Sequence, residues 1–219
     1  EPYRRQRQMC IRDRAYKDYM ESEPWDQYFL ECDEKHEYPL RWVKGLCDLG
    51  FDQIMLPESH GGAGLEQPLV TLMAVYEVLG QYGGPTYVLY QLPGFETIIR
   101  EGTQEQIDAV MAYLGTGEQI WNSACTEPGA GSDVSSLTTN YKRRDGKIYL
   151  NGTKTFITNG GVSDLYTVTC STDPSKGKHG ISLFIVERDR PGVSVGKHED
   201  KMGIRSSNTT DVVFDEVRV

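Results

Sequence analysis

The hydrophobic pattern changes its period near Gly115, and this change limits the folds that the chain can adopt. Before Gly115, apolar residues recur every three or four positions, which is the spacing of amphipathic helices. After Gly115, short stretches alternate polar and apolar residues between turn signals, which is typical of strands. Helices therefore come first and strands second, without alternating β-α-β units. The sequence predicts an α+β chain with an all-helical first domain and an antiparallel β-barrel as its second domain.

Three segments of the first part carry the helical pattern. Pro39 stands at an expected first turn and Gly50 where a C-terminal cap would be, with apolar residues at helical spacing between them. Thr103 and Gln106 have the spacing of a capping box, and that helix is expected to close on Gly115. The middle segment carries one apolar stripe, which consists of Leu69, Leu72, Met73, Tyr76 and Leu79. We interpret such stripes as core-facing rather than as cofactor contacts.

Turn signals divide the second part into short strands. Asn151-Gly152 and Asp145-Gly146 each predict a turn, because both dipeptides favour the positive φ of type I′ hairpin turns. The segments GISLFIVE, GVSVGK and TTDVVFDEVRV predict further strands. We therefore expect a helical domain at residues 15–117 and a β-barrel domain at residues 118–219.

Residues 1–14 differ in charge from the rest of the chain. They hold five arginines against Glu1 and Asp13, so they carry +3 while the whole chain carries −9. An arm for nucleic acid or for targeting is one interpretation of such a cluster. We favour a disordered or artefactual end and exclude these residues from the predicted fold.

Composition excludes several classes of function. The five cysteines are odd in number and form no C-x-x-C pair, which argues against a disulfide framework or a zinc ribbon and fits a reducing cytoplasm. The four histidines lack metal-site spacing, so no metal is expected. A net charge of −9 repels nucleic acid. No apolar run approaches the roughly 18 residues of a membrane span. We expect a cytoplasmic protein without a membrane span or a nucleic-acid partner.

The stretch TEPGAGSDVSS, residues 126–136, is the main candidate for a ligand-binding turn. Gly129 and Gly131 begin like the dinucleotide fingerprint G-x-G-x-x-G, but Val134 stands at the third glycine position. The residues after Val134 are β-like, so no helix N-terminus is expected to face a pyrophosphate. A Rossmann site for a nicotinamide cofactor is therefore disfavoured. A plain turn between strands and a cradle for another cofactor's phosphates remain open.

A serine hydrolase is a second alternative. Residues 192–196 match G-x-S-x-G, and residues 60–64, HGGAG, resemble an esterase oxyanion loop. A nucleophile elbow needs a strand, a sharp turn and then a helix, whereas Ser194 stands in alternating sequence that no helix follows. His198 comes four residues later, too close for the order serine, acid, histidine. We reject the hydrolase and interpret HGGAG as a structural loop between helices.

The segments LPESHGG, ACTEPGAGSDVSS and KTFITNG together resemble the acyl-CoA dehydrogenase family of flavoproteins. The resemblance runs from about Pro24 to Val219, and one position departs from it, because Cys125 stands where the family has an aliphatic residue. Other segments, such as PTYVLYQLPG and RRDGKIYLNG, resemble the family's crotonobetainyl-CoA reductases of carnitine metabolism. The resemblance implies a helical domain and then a β-barrel along which FAD lies. It also implies that the family's C-terminal helical bundle is absent from these residues.

The resemblance further implies contacts to FAD. Gly131, with Gly129, would leave room for the pyrophosphate, and Ser132 would donate a hydroxyl there and also neighbour the acyl-CoA. Backbone N–H groups of this turn would form a nest for the phosphate oxygens. The implied cofactor-binding residues are Ser123, Cys125, Thr126, Gly131, Ser132, Phe156 and Thr158.

Three of these residues have implied roles at the flavin ring. Thr126 would donate to the N1/O2 edge, Thr158 would reach N5, and Phe156 would pack on the ring. Taken singly, Thr158 is an ordinary strand threonine and Phe156 an ordinary core residue of a barrel.

The implied reaction is hydride transfer between the substrate β-carbon and flavin N5, coupled to proton transfer at the α-carbon. The family's base lies in the C-terminal bundle, so no catalytic residue is assigned between Glu1 and Val219, and Glu127 and Asp133 are expected to be structural. The implied partners are an acyl-CoA, an electron-transferring flavoprotein and, in the complete protein, further copies in a homotetramer or homodimer. As given, the chain is expected to be an enzyme fragment that is inactive alone. Reduction of crotonobetainyl-CoA to butyrobetainyl-CoA, oxidation of a short-chain acyl-CoA, and a non-catalytic binding role stay open.

Overall fold

The computed structural model describes residues 14–89, 92–114 and 120–219. These residues divide into two compact units. The first unit holds residues 14–89, 100–114 and 203–206, and the second holds residues 92–99, 120–202 and 207–219. The arginine-rich residues 1–13 and Gly115, the expected helix end, lie outside the described residues.

The first unit is helical, as the sequence predicts. Its described part begins with a helix at residues 14–21, which we call α1. The following helices are α2 (Trp25–Lys35), α3 (Leu40–Asp48), α4 (Pro68–Gln81), α5 (Leu92–Glu101) and α6 (Gln104–Leu114), and most of α5 belongs to the second unit. Short 3-10 turns cover Glu58–His60 and Thr86–Leu89. In the part of the chain that the structure describes, no helix combines the length and the apolar character needed to cross a membrane.

The predicted helix ends at Gly50 and Thr103 are confirmed. Gly50 follows α3 with a φ of 79°, its N–H donates to Cys47 O at 2.8 Å, and the next N–H donates to Leu46 O at 3.0 Å. This pair of bonds is a Schellman motif, which favours glycine because of the positive φ. Before α6, Thr103 N–H donates to Gln106 Oε1 at 2.9 Å and Gln106 N–H donates to Thr103 Oγ1 at 3.3 Å. These two bonds form the expected capping box.

The predicted apolar stripe on α4 is wrong in part. Leu72 and Leu79 are buried, but Leu69 and Met73 are 57% and 71% exposed. The buried face instead continues through Thr71 and Val75. Both stripes have helical spacing, so period alone does not decide which of two adjacent apolar faces a helix packs inward.

The strands of the second unit form two sheets. They are β1 (Trp121–Ala124), β2 (Asn140–Arg144), β3 (Lys147–Ile157), β4 (Leu165–Ser171), β5 (Ile181–Glu187), β6 (Val193–Val195) and β7 (Thr210–Arg218). One sheet has the order β1-β4-β5 and the other the order β2-β3-β7-β6. Residues from both sheets, among them Leu150, Tyr166, Val168 and Phe214, share one buried core. The prediction that the second domain consists mainly of strands is therefore confirmed.

The predicted closed antiparallel barrel is wrong for the described residues. The two sheets are not joined to each other, and β1 pairs with β4 in parallel. Parallel neighbours need a long crossover connection, which the β2–β3 hairpin of the other sheet provides here. Alternation of polar and apolar residues reports which face of a strand is buried, but it does not report which strand lies beside it.

The two predicted hairpin turns have different outcomes. Asp145-Gly146 joins β2 to β3 with φ values of 51° and 73°, as a type I′ turn requires. The turn at Asn151-Gly152 is wrong, because β3 runs through both residues and only shifts its register against β7 there. A Cβ on Gly152 would stand 2.3 Å from Thr139 Oγ1. Close approach to Thr139, and not a turn, is therefore the structural reason for this glycine.

Candidate cofactor site

Residues 127–130 form a tight turn, which Cys125 and Thr126 separate from the end of β1. Glu127 N–H donates to Ala130 O at 2.9 Å, and Ala130 N–H donates to Glu127 O at 3.1 Å. Pro128 follows Glu127 at the position where its fixed φ favours a turn. Ala130 is buried while Pro128 and Gly129 are exposed. The turn therefore presents its tip to solvent and anchors its base in the second unit.

The residues beyond the turn are also exposed. The β-like pattern expected there is wrong, because Val134–Ser136 forms a 3-10 turn. Asp133 caps this turn, accepting from Ser135 N–H at 3.1 Å and from Ser136 Oγ at 2.5 Å. Asp133 also accepts from the Ser135 hydroxyl, and this bond, followed by those from the Ser136 hydroxyl and the Ser135 N–H, lowers the pKa of Asp133. Asp133 is thus a structural residue, as the sequence predicts, and the 3-10 turn is too short to offer a helix dipole.

The two glycines of the turn leave open space. Neither Gly129 nor Gly131 has a positive φ, so the turn is not the alternating left- and right-handed form of a nest. A Cβ on either glycine would meet no atom within 4 Å. The N–H groups of Gly129, Gly131 and Ser132 donate to no other described residue. The backbone of this turn can therefore be approached closely by a hydrogen-bond acceptor, and a phosphate oxygen fits that description.

A buried ion pair holds this turn in place. Lys154 Nζ lies 2.8 Å from Glu127 Oε1, and the two side chains are 0% and 2% exposed. Glu127 also accepts from the N–H and hydroxyl of Thr138, both at 2.6 Å, and from Thr139 N–H at 2.9 Å. Burial opposes ionisation of Glu127, but the bonds from Lys154, Thr138 and Thr139 outweigh it and lower the pKa of Glu127 to about 2. Glu127 is therefore structural, as the sequence predicts.

The end of β3 contacts the segment between β1 and the turn. Lys154 Nζ donates to Cys125 O at 2.9 Å, and Thr155 N–H donates to Thr126 O at 2.8 Å. Thr155 is fixed in turn by its hydroxyl, which donates to Asp211 Oδ1 at 2.5 Å. Successive residues of β3 thus hold two successive carbonyls, and the two sequence motifs are joined into one local structure.

A β-bulge directs Phe156 away from the sheet. Lys154 pairs with Val212 and Ile157 with Thr210, so β3 has one residue more than β7 in this interval. Phe156 lies in the bulge with a φ of 54° and is 63% exposed. A positive φ is unusual for a bulky residue, and backbone strain of this kind concentrates at functional sites. Phe156 therefore combines a strained backbone with an exposed side chain, as Ile204 also does.

The sequence-predicted residues occupy two neighbouring segments of the second unit. Ser123 lies half-buried in β1, paired with Thr167 of β4. Cys125 and Thr126 follow half-buried, Gly131 and Ser132 are exposed beyond the turn, and Thr158 is half-buried after β3. The contacts of the β3 end bring the Cys125–Thr126 segment beside the strand that carries Phe156.

Lys154 of β3 contacts both Cys125 and Glu127, and its position in the strand pattern does not predict this role. A lysine between two threonines of a strand indicates a solvent-facing position unless an acidic partner is known. That partner, Glu127, stands 27 residues earlier in the chain.

In the described part of the chain, no group of three or more acidic, histidine or cysteine side chains could hold a metal ion. Ser194 lies in β6 without a following helix, so the rejection of a nucleophile elbow is confirmed.

Comparison with known proteins identifies the family. Residues 7–118 match the N-terminal domain of acyl-CoA dehydrogenases, and residues 122–217 match the middle domain. The chain belongs to the acyl-CoA dehydrogenase family. The two matched domains follow each other in the order of the helical and the sheet-rich units. The family's members are oxidoreductases that act on CH–CH bonds.

Solved structures agree with this assignment. A butyryl-CoA dehydrogenase from Megasphaera elsdenii is 34% identical over 96% of this chain and 56% of its own, with a TM-score of 0.85. A chain in a structure named for the electron transferring flavoprotein of Acidaminococcus fermentans is 32% identical over 96% of this chain and 56% of its own, with a TM-score of 0.86. An acyl-CoA dehydrogenase complexed with FAD from Bacillus anthracis is 30% identical over 97% of this chain and 37% of its own, with a TM-score of 0.83. The chain therefore spans a little more than half of the length of the first two of these proteins.

Proposed function

We propose that the chain forms the helical and middle domains of an FAD-dependent acyl-CoA oxidoreductase. The observation that carries the proposal is the turn at residues 127–131, whose glycines leave open space beside N–H groups that donate to no other described residue. The neighbouring strand end adds an exposed, strained Phe156. FAD, the cofactor expected from the sequence, is also the cofactor bound in the related Bacillus anthracis structure.

Residues of the turn would bind the phosphates of FAD. The N–H groups of Gly131 and Ser132, together with the Ser132 hydroxyl, offer donors to the pyrophosphate. Thr126 would donate to the N1/O2 edge of the flavin, and Ser123 and Cys125 would complete the same wall. Phe156 would cover one face of the ring and Thr158 would reach N5. When bound, FAD supplies the hydride-exchanging centre of the reaction.

The substrate proposed for this site is an acyl-CoA thioester. Beside the turn lies an open cleft of about 500 Å³, lined by residues 135–138, 140–141 and 171–172. Hydroxyl and amide groups along this mostly apolar cleft would contact the carrier of a thioester, and Ser132 would contact the same molecule. Reduction of crotonobetainyl-CoA to butyrobetainyl-CoA remains the specific reaction that we propose. The similarity to a butyryl-CoA dehydrogenase favours, as the alternative, oxidation of a short-chain acyl-CoA. A non-catalytic binding role is the remaining alternative.

We also propose partners and a compartment. The similarity to a chain in a structure named for an electron transferring flavoprotein supports such a protein as the electron partner. The base that moves the α-proton would lie outside these residues, and a homotetramer or homodimer would form in the complete protein. The unpaired cysteines fit the cytoplasm as its compartment.

Flavin retention by the complete protein tests the proposal. Gly131→Val places a branched side chain in the open space of the turn and is expected to abolish retention of FAD. Gly203→Val is the matched control, because a Cβ at Gly203 also meets no atom within 4 Å. Visible absorbance of each purified protein gives the bound flavin, and far-UV circular dichroism gives the helix content. Equal flavin absorbance in both variants would contradict the phosphate-binding role of the turn.

A further inference from the structure

Lys154 donates to two acceptors at a fully buried position. One acceptor is the Glu127 carboxylate at 2.8 Å, and the other is the main-chain carbonyl of Cys125 at 2.9 Å. The ion pair with the Glu127 carboxylate would by itself be enough to hold β3 against the turn. The hydrogen bond to the Cys125 carbonyl therefore has an effect beyond holding the strand and the turn together.

The carbonyl of Cys125 belongs to the peptide that carries the Thr126 N–H. The described part of the chain has no cis peptide bonds, so this N–H points in the direction opposite to the Cys125 carbonyl. A cation on the carbonyl oxygen draws electron density from the amide and makes the N–H on the other side a stronger donor. The Thr126 N–H donates to no other described residue. Lys154 thus acts on one side of a peptide whose opposite side is available to a ligand.

The ammonium and the peptide are both held in place. Glu127 is fixed by Thr138 and Thr139, so the carboxylate keeps Lys154 Nζ beneath the peptide. The next carbonyl, that of Thr126, accepts from Thr155 N–H at 2.8 Å. The direction of the Thr126 N–H is therefore set before any ligand binds.

We propose that Lys154 is a positioning residue that polarises the Cys125–Thr126 peptide and strengthens the Thr126 N–H as a donor to the flavin. The inference rests on the proposed function, in which the N1/O2 edge of FAD is the acceptor. Negative charge gathers on that edge when the flavin is reduced, so a stronger donor favours reduced FAD over oxidised FAD. A residue that only braced the fold would favour both forms equally.

Separate titrations with oxidised and with chemically reduced FAD test the proposal on the complete protein. In Lys154→Met, the dissociation constant for reduced FAD is expected to rise about fivefold to tenfold more than that for oxidised FAD, which is less than the loss of a whole hydrogen bond to a charged group because the variant keeps the Thr126 N–H and only weakens it as a donor. Lys147→Met is the matched control, because Lys147 lies exposed at the start of the same strand. We expect the ratio of the two dissociation constants to stay unchanged in that control.

Hydrogen exchange of the Thr126 amide, measured without FAD, provides a second readout. A polarised amide is more acidic and exchanges faster by base catalysis, so exchange at Thr126 is expected to be slower in Lys154→Met than in Lys147→Met. Loosening of the segment would instead speed exchange. The signs of the two effects are opposite, so this readout separates polarisation from bracing.

The outcomes distinguish this inference from the proposed function. An equal rise of both dissociation constants, with faster exchange at Thr126, would overturn the role of Lys154. Failure of the unaltered protein to bind FAD would overturn the proposed function, and exchange at Thr126 would still decide whether Lys154 polarises the peptide. If Lys154→Met does not fold because Glu127 is left buried without its partner, the double variant E127Q/K154M is used instead. It removes both charges, so no unpaired carboxylate is buried. The same shift in the ratio is expected in that double variant.

Discussion

The buried Glu127 carboxylate should make the second unit sensitive to acid. Its folded pKa is about 2, against an ordinary value of 4.5, because Lys154 and the two threonines stabilise the ionised form. A lowered folded pKa stabilises the native state above the unfolded pKa, and this stabilisation is lost as pH falls from about 4.5 towards 2. Replacement of Glu127 by glutamine should remove this part of the pH dependence.

The magnitude follows from the pKa difference. At about 1.4 kcal/mol for each pKa unit, the shift from 4.5 to about 2 corresponds to about 3 kcal/mol of unfolding free energy at neutral pH. Glu127→Gln also leaves Lys154 buried beside a neutral side chain, which costs further stability at neutral pH. The variant should therefore be less stable than the unaltered chain at pH 7 and differ less from it at pH 2.5.

Hydrogen exchange at β4 measures this stability within the second unit. The opening free energy of β4 amides is compared between pH 7 and pH 2.5 in the unaltered chain, in Glu127→Gln and in Asp200→Asn, a control at an exposed carboxylate. The unaltered chain and the control should lose the same free energy over this range, and Glu127→Gln should lose about 3 kcal/mol less. An equal loss in all three proteins would refute the assignment of the acid sensitivity to Glu127.

Two further substitutions test the local structure around β3 by chemical denaturation. Gly152→Ala should cost about 1–3 kcal/mol, because its Cβ would stand 2.3 Å from Thr139 Oγ1, whereas Gly131→Ala should change stability by less than about 0.5 kcal/mol; equal effects would contradict this contrast. Phe156→Asn should leave stability within about 0.5 kcal/mol of the unaltered chain, because asparagine adopts a positive φ more readily and Phe156 is exposed. A loss above about 1 kcal/mol would show that the Phe156 ring packs within the unit.

Local signals in the sequence predicted local structure well. The capping box at Thr103, the cap at Gly50 and the turn at Asp145-Gly146 each depend on bonds or φ values within a few residues. Asn151-Gly152 has an equally strong turn signal, but contacts that are distant in sequence decide its conformation. β3 pairs with β7 on both sides of Gly152, and Thr139 packs against the glycine. A dipeptide cannot report either contact.

At the candidate site, too, the local motifs could be predicted from the sequence and the contacts between distant residues could not. The exposed turn and its glycines could be recognised as a short motif, and the strand after it as another. Their junction depends on Lys154, which meets Glu127 and the Cys125 carbonyl only because β3 folds beneath the turn. The bulge at Phe156 likewise follows from the register of β3 against β7. Pairing across the sheet therefore creates the parts of the site that sequence spacing cannot predict.

The surroundings of the glycines support the proposal that the turn binds a ligand. At Gly62, Gly152 and Gly180 a Cβ would come within 2.3 Å of protein atoms, so the fold itself needs a residue without a side chain. At Gly129 and Gly131 it would meet nothing, and neither residue has the positive φ that favours glycine. Their backbone donors nevertheless stay open to solvent on an anchored turn. Gly80 and Gly203 are equally open, so it is the N–H groups beside Gly129 and Gly131, held on an anchored turn, that support the proposed contact with a phosphate of FAD.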